Sequence, residues 1–308
     1  ATNKRKDEYG GSLSNRTKFS LKVIEAIRKA VGPDFIIGVR MVADEDWNKG
    51  LSKEEGIEIV KKIIKTEKVD FLNIIRGHID TDASLTKVIP TQGMASSPHL
   101  DFAGEIKFES KFPVFHASKI NDVATARYAI ESGKLDMVGM TRAHIADPHI
   151  IKKIINGRES TIRPCVGATY CLDRIYEGNE ALCIHNPATG REKYIPHEIT
   201  KKADKKKKIV IVGAGPSGLE AAKICSERGH EVIVFEASNT AGGQLNLIIR
   251  SKRRRDMLGI IDWRIEACKE NNVKFYYNTF ATKEIILKEK PNCIIIATGG
   301  IPNTEILE

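Results

Sequence analysis

The stretch Lys207–Ala237, KKIVIVGAGPSGLEAAKICSERGHEVIVFEA, leaves the chain less choice of fold than any other. An apolar run leads into Gly213-x-Gly215-x-x-Gly218, these glycines open a helical pattern, and a second apolar run ends at Glu236. A lone GxGxxG says little, but strand, glycines, helix, strand and terminal acid in this order specify a dinucleotide-binding unit. Gly213 allows the tight turn, Gly215 lets a pyrophosphate approach the backbone, and Gly218 lets the helix pack on the strand. The helix N-terminus then offers free N–H groups and its dipole to the pyrophosphate. Glu236 is placed to accept hydrogen bonds from adenosine ribose hydroxyls and to repel a 2′-phosphate. FAD, NAD or ADP is therefore expected there rather than NADP. The competing reading is an empty, vestigial Rossmann unit.

Residues 1–160 repeat helix after strand. Phe35–Arg40 (FIIGVR), Asp70–Ile75, Pro113–Ser118 and Asp136–Thr141 are short apolar runs that read as buried strands. Leu21, Ile24, Ile27 and Val31 share one face of a first helix, and Ile57, Val60, Ile63 and Ile64 one face of the next. Asp122–Gly133 starts after an Asn and stops at a Gly, as capped helices do, and Ile145–Gly157 follows the fourth strand. Buried strands alternating with amphipathic helices mean a parallel sheet. Four such units cannot close an eight-stranded barrel, which needs about 250 residues. An open α/β sheet and half a barrel both remain.

Between these regions lies RPCVGATYCLDRIYEGNEALCIHNPATGRE (Arg163–Glu192), with three of the six cysteines, Cys165, Cys171 and Cys183. In a chain without a secretion signal, such a cluster points to metal or redox chemistry rather than disulfides. Thiolates are soft ligands that hold iron–sulfur clusters. The spacing is C-x5-C-x11-C, and Ala168 stands where a C-x2-C-x2-C motif needs its middle cysteine. Cys225, Cys268 and Cys293 have no ligand spacing and read as ordinary buried cysteines.

The formal charge is +9, much of it in Lys201–Lys208 and Lys252–Arg255. No zinc finger, helix-turn-helix or RNA-binding signature accompanies these runs, so the expectation is a solvated linker and no nucleic-acid partner. Apolar runs such as Cys293–Ala297 are too short to span a bilayer, and a cytoplasmic protein with no membrane partner is expected. The chain opens ATNKRKDEYGG without Met and closes on PNTEILE, which reads as a piece of a longer protein.

RPC-x-G-x-x-x-C, a further Cys and HNPATGRE resemble the junction of the two-flavin iron–sulfur oxidoreductases. These comprise the bacterial 2,4-dienoyl-CoA reductases and the trimethylamine dehydrogenase group, with a barrel of the Old Yellow Enzyme type. Asn3, Asp7–Ser12 and Asn15-Arg16 are similar to the NxRxDxYGGSxxNR signature that precedes strand five of such barrels. The resemblance runs through essentially the whole chain. It implies the C-terminal half of a TIM (β/α)8 barrel at 1–160 (strands five to eight), a cysteine-containing junction and linker at 161–206, and an incomplete Rossmann-like FAD/NAD-binding domain at 207–308.

The same resemblance implies FMN at the C-terminal end of the barrel strands. Arg40 matches the family's flavin-contacting arginine on strand five, and Arg142, beside Gly139, the phosphate-binding arginine of strand eight. Ser118-Lys119 replaces the usual Gly-Arg of strand seven. Lysine keeps the charge but loses the planar fork. His78 follows strand six, where amine-oxidising relatives carry a carboxylate, and is a candidate for substrate or flavin contact. His116, inside strand seven, packs in the barrel or beneath the flavin. The family's other residues nearest the substrate follow strand four, so the main catalytic candidates lie upstream of this chain. Cys165, Cys171 and Cys183 match three of four [4Fe–4S] ligands, leaving a modified cluster completed by His185 or water, a three-iron cluster, or none. Gly243 in the GGQL turn (Gly242–Leu245) and Thr298-Gly299 resemble further elements around the FAD.

Three functions compete. One oxidises, and so N-demethylates, a methylated amine or betaine, and passes electrons to a carrier such as an electron-transfer flavoprotein. The junction sequence favours this one by resemblance. The second uses a nicotinamide nucleotide to reduce an activated C=C bond such as a dienoyl-CoA. The third is a non-catalytic nucleotide-binding module. A small-molecule substrate and, for the full-length protein, a homo-oligomer are expected, with the piece itself inactive alone.

Overall fold

A computed structural model describes residues 3–300; residues 1–2 and 301–308, on which the reading of a longer protein rests, lie outside it. The chain divides into one unit that ends at Arg142 and another that begins at Ala143, and each holds a four-stranded parallel sheet.

The first unit runs α1 (Leu13–Val31), β1 (Gly38–Asp44), α2 (Lys53–Ile64), β2 (Phe71–Arg76), α3 (Asp82–Val88), α4 (Leu100–Ser110), β3 (Val114–His116), α5 (Val123–Glu131) and β4 (Met137–Val138). Its sheet order is β1-β2-β3-β4. Ser12, Ser52 and Asp122 each accept a backbone N–H three residues on, filling a donor that the first helical turn leaves free. Leu72, Ile74 and Val114 form the core with Val60 and Ile63 of α2 and Ala103 and Ile106 of α4. Strand residues alternate faces, so Arg40, Asn73 and Phe115, aligned in register, lie on the other side of the sheet.

Two expectations need correction here. The strand expected at Phe35–Arg40 starts at Gly38, and Phe35 and Ile36 are 62% and 70% exposed. Arg28 donates to the carbonyls of Gly32, Pro33 and Phe35, while Asp70 accepts the N–H of Ile37. Those bonds hold the segment out of the sheet. Helix α1 also splits its apolar set. Ile24 is buried, whereas Ile27 and Val31 are exposed with Phe19 and Val23.

The second unit holds most of α6 (Thr141–Ala146), then α7 (Ile150–Ile155), α8 (Tyr170–Tyr176), β5 (Lys208–Val212), α9 (Pro216–Glu227), β6 (Glu231–Phe235), α10 (Leu245–Ile248), α11 (Leu258–Glu270), β7 (Lys274–Tyr276), α12 (Lys283–Lys288) and β8 (Cys293–Ile296). The order β7-β6-β5-β8 is, by sequence, 3-2-1-4, that of a dinucleotide-binding sheet. The helix expected over Ile145–Gly157 is two helices. Pro148 disfavours helical backbone at Asp147, whose carboxylate accepts the N–H groups of His149 and Arg163.

The cysteine-containing junction belongs to this second unit. Val166 lies in its core, and a Cβ on Gly259 of α11 would sit 3.0 Å from Pro164. Cys268 is fully buried, and burial pushes its thiol up to about 12. Cys293 departs from the expected burial because β8 is an edge strand among the described residues; it is exposed. No helix among the described residues is long and apolar enough to cross a membrane.

Candidate functional site

In the first unit, the expected groups cluster at the C-terminal edge of the sheet. β3 and β4 pair through Phe115–Met137 and His116–Val138, so Ser118 and Gly139 follow the ends of adjacent strands. Arg142 comes three residues after Gly139, in the first turn of α6. The Ser118 hydroxyl and Arg142 Nη1 are buried with no hydrogen-bond partner among the described residues. Leaving such a group unpaired costs about 1–3 kcal/mol, so donors orphaned together suit an oxyanion. A Cβ on Gly139 would come 2.6 Å from the Ala117 methyl, which explains the glycine. Lys119 is buried in left-handed backbone (φ 51°), and its ammonium donates to the Met94 carbonyl. Its ammonium is therefore held by the protein.

The loops after β1 and β2 add a feature that the motifs did not reveal. Trp47 stacks on His78 with ring centroids 5.1 Å apart. The Trp47 loop is fixed by Glu45, whose N–H donates to the Leu51 carbonyl at 2.9 Å and whose carboxylate accepts the Leu51 N–H at 2.6 Å. Arg76 binds Asp44 at 3.0 Å and Asp46 at 3.1 Å, tying both loops together. The available signal was a tryptophan in an otherwise polar loop, DEDWNKG. His78 Nδ1 accepts the Asp80 N–H, so His78 does have partners. Arg40 is exposed on the sheet face away from the helices. His116 is a core residue: its Nδ1 bonds to the Ile74 carbonyl, and burial lowers its pKa below the ordinary value.

In the second unit, three backbone segments meet beyond β5 and β8. Gly213 has φ 100°, and a Cβ there would lie 2.5 Å from the Ala297 carbonyl oxygen. A Cβ on Gly218 would lie 2.0 Å from the Gly213 carbonyl oxygen, so helix α9 packs as closely as the spacing implied. Gly215 caps α9 and faces the backbone of Gly243, and the Gly242 N–H donates to the Ala214 carbonyl. Gln244 reaches the Gly300 carbonyl at 2.7 Å, joining this turn to Thr298-Gly299. Glu236 is buried and accepts the N–H groups of Ala214 (2.7 Å) and Ser238 (2.8 Å). Each carboxylate oxygen keeps a second lone pair. The glycine cradle and the helix N-terminus fit a pyrophosphate.

The cysteines do not form a comparable site. Among the described residues no group of three or more His, Cys, Asp or Glu side chains is arranged to hold a metal ion. Cys171 rides on the first turn of α8, while Cys183 accepts the His185 N–H at 3.4 Å. Ala168 packs against the apolar core of the unit where a fourth thiolate would be needed. The residues present do not fit a four-cysteine cubane, which takes four ligands. His185 donates from Nδ1 to the Pro164 carbonyl, and its Nε2 is buried without a partner among the described residues. Burial first, and Arg264 second, hold its pKa well below the ordinary value.

The NADH:flavin oxidoreductase / NADH oxidase family matches residues 1–161, and the NAD(P)-binding Rossmann-like domain matches residues 211–258. The chain is 60% identical to a probable N-methylproline demethylase of Rhizobium meliloti (strain 1021), over 99% of the chain and 45% of that protein. It is 48% identical to a multifunctional alkene reductase/demethylase OYE of Caballeronia cordobensis, over 99% of the chain and 44% of that protein. Among solved structures, a 2-naphthoyl-CoA reductase superposes with a TM-score of 0.91 at 32% identity, covering 98% of this chain and 45% of that one. The chain thus spans less than half the length of the relatives it matches.

Proposed function

Because the chain belongs to the NADH:flavin oxidoreductase / NADH oxidase family, we propose that it is part of an FMN enzyme that N-demethylates a methylated amine or betaine. In this reading β1–β4 are strands five to eight of a barrel at 1–160, residues 161–206 are a junction, and 207–308 begin a dinucleotide domain. Ser118, Lys119, Gly139 and Arg142 hold the flavin phosphate, and Arg40 meets the flavin from β1. The glycine cradle with Glu236, Gly243, Thr298 and Gly299 holds FAD, NAD or ADP.

The observation that carries the substrate class is the Trp47–His78 stack on the same strand-end edge as Ser118 and Arg142. An aromatic face attracts an alkylated ammonium through its quadrupole and accommodates its methyl groups. Sixty per cent identity to a probable N-methylproline demethylase supports the same class. Bound FMN supplies a two-electron acceptor. An N-methyl group on a nitrogen with a free lone pair would give up a hydride equivalent, the lone pair forming the C=N bond of an iminium. Water adds, and formaldehyde and the demethylated amine leave. The electrons pass on to a nicotinamide nucleotide or a carrier protein.

The experiment is anaerobic mixing of the full-length flavoprotein with N-methylproline and related N-methylated amino acids that keep an amine lone pair, following flavin bleaching and formaldehyde. Trp47→Ala should raise KM by roughly threefold or more, as expected for losing a cation–π contact, with Trp47→Phe between the two. Absence of formaldehyde with every methylated amine would end the reading. Reduction of C=C bonds is the second reading, favoured by the names of the alkene reductase/demethylase and the 2-naphthoyl-CoA reductase. Turnover of enoates with NADH, without amine oxidation, would select it.

A further inference from the structure

The second unit contains a cavity of about 490 Å³ that neither the glycine cradle nor the cysteines explain. Its wall includes Arg163, Arg158, Lys153, Lys223 and Trp263. Arg163 is only 7% exposed, and its guanidinium lies over the Trp263 ring, 4.3 Å from the centroid. Stacking of this kind engages the face of the guanidinium but leaves its in-plane N–H donors to find acceptors at the edge. Among the described residues they find none: Arg163 Nε is buried and unpartnered, and no hydrogen bond or ion pair of the guanidinium is present.

Neighbouring carboxylates are already engaged. Asp147 binds Lys153 at 2.5 Å, Glu227 binds Lys223 at 2.9 Å and Glu220 binds Arg264 at 2.7 Å, so Glu220 and Asp147, whose charges favour the Arg163 cation, make their direct ion pairs with other side chains among the described residues. Buried charges are otherwise paired, because an isolated one loses its hydration without return. Trp263 is itself fixed, donating from Nε1 to the Thr161 carbonyl at 3.0 Å, so the stack is rigid. The volume falls in the range of small-molecule sites.

We infer that this cavity binds a small oxyanion-bearing molecule, with its phosphate or carboxylate accepting the N–H fork of Arg163. Arg158, exposed at the rim, adds a second positive charge. The site is separate from the glycine cradle and does not depend on the proposed amine chemistry.

The test is isothermal titration of the full-length flavoprotein with inorganic phosphate and, in parallel, with acetate, at fixed ionic strength. Saturating ADP is included to fill the glycine cradle. One saturable site per chain is expected, and the stronger of the two anions identifies the ligand class. Arg163→Gln should weaken binding about ten- to a hundredfold, as expected for loss of a charged hydrogen-bond pair. Arg163→Lys, which keeps the charge and protects the fold, should still weaken it severalfold. Flavin content and circular dichroism report on folding of each variant. Absence of saturable binding of either anion, or equal affinity in folded Arg163→Lys and wild type, would overturn the inference.

Discussion

The first and second units both place their candidate ligand groups at the C-terminal edge of a parallel sheet, yet they build the sites from different parts of the chain. The second unit uses backbone. Gly213, Gly215 and Gly218 clear space, and helix α9 supplies the N–H groups. The first unit uses side chains, the Ser118 hydroxyl and Arg142 Nη1, held beyond β3 and β4 without partners among the described residues. A backbone site depends on the absence of side chains, so it is intolerant of any added atom. A side-chain site depends on contributions that can be removed one at a time.

That contrast orders the expected effects. The largest belongs to Gly218→Ala, whose methyl would meet the Gly213 carbonyl oxygen at 2.0 Å, an atom of the backbone that cannot swing away. A loss of about 3 kcal/mol is expected from such overpacking, together with loss of ADP binding. Thermal melting and ADP titration measure both; an unchanged pair would remove the close-packing argument from the second unit.

Arg142→Ala comes next and acts on the first unit alone. Flavin affinity should fall about ten- to a hundredfold, the worth of one charged hydrogen-bonding group. Ser118→Ala should cost less, as a neutral donor does. Flavin content after dialysis reads this directly, and retention of full flavin in Arg142→Ala would move the phosphate site elsewhere. Melting should change little in either variant, the reverse of the balance at Gly218.

The smallest effect probes a feature the units share, a buried histidine in each. His116 and His185 both have pKa values lowered first by burial, with His185 further below the ordinary value. The folded protein therefore holds them neutral, while the unfolded chain protonates them below about pH 6.5. Their contribution to stability is complete above that pH and is lost as pH falls from it toward the folded values. The slope is at most about 1.4 kcal/mol per pH unit for each proton. Urea unfolding between pH 7 and 5 should show this decline, and His185→Asn should flatten it more than His116→Asn does. Equal slopes in both variants would show that the two cores desolvate their histidines alike.

Much of this organisation was legible beforehand, unevenly. Strand β2 fell within one residue of its expected span, because Phe71–Arg76 is an apolar run without local competition. β1 did not, since Arg28 and Asp70, far apart in sequence, capture the backbone of Pro33–Ile37. The helix after β4 was broken by Pro148, a visible signal outweighed by the apolar pattern around it. For the cysteines, three positions match the ligand spacing, but the fourth is Ala168, whose methyl is seated in an apolar core.

The sequence by itself determined the dinucleotide cradle, because glycine spacing, a strand and a helix start are properties of neighbouring residues and of backbone torsions. It also determined two parallel sheets, through apolar periodicity. Only the tertiary structure decided which side chains lack partners. Ser118 and Arg142 in one unit and Arg163 in the other become candidates because, among the described residues, no acceptor from a distant segment reaches them. Trp47 likewise gains meaning only when β2 delivers His78 against its ring. Hydrogen bonds and ring contacts join residues that the chain separates, and burial makes an unmade bond costly, so this information exists only after folding.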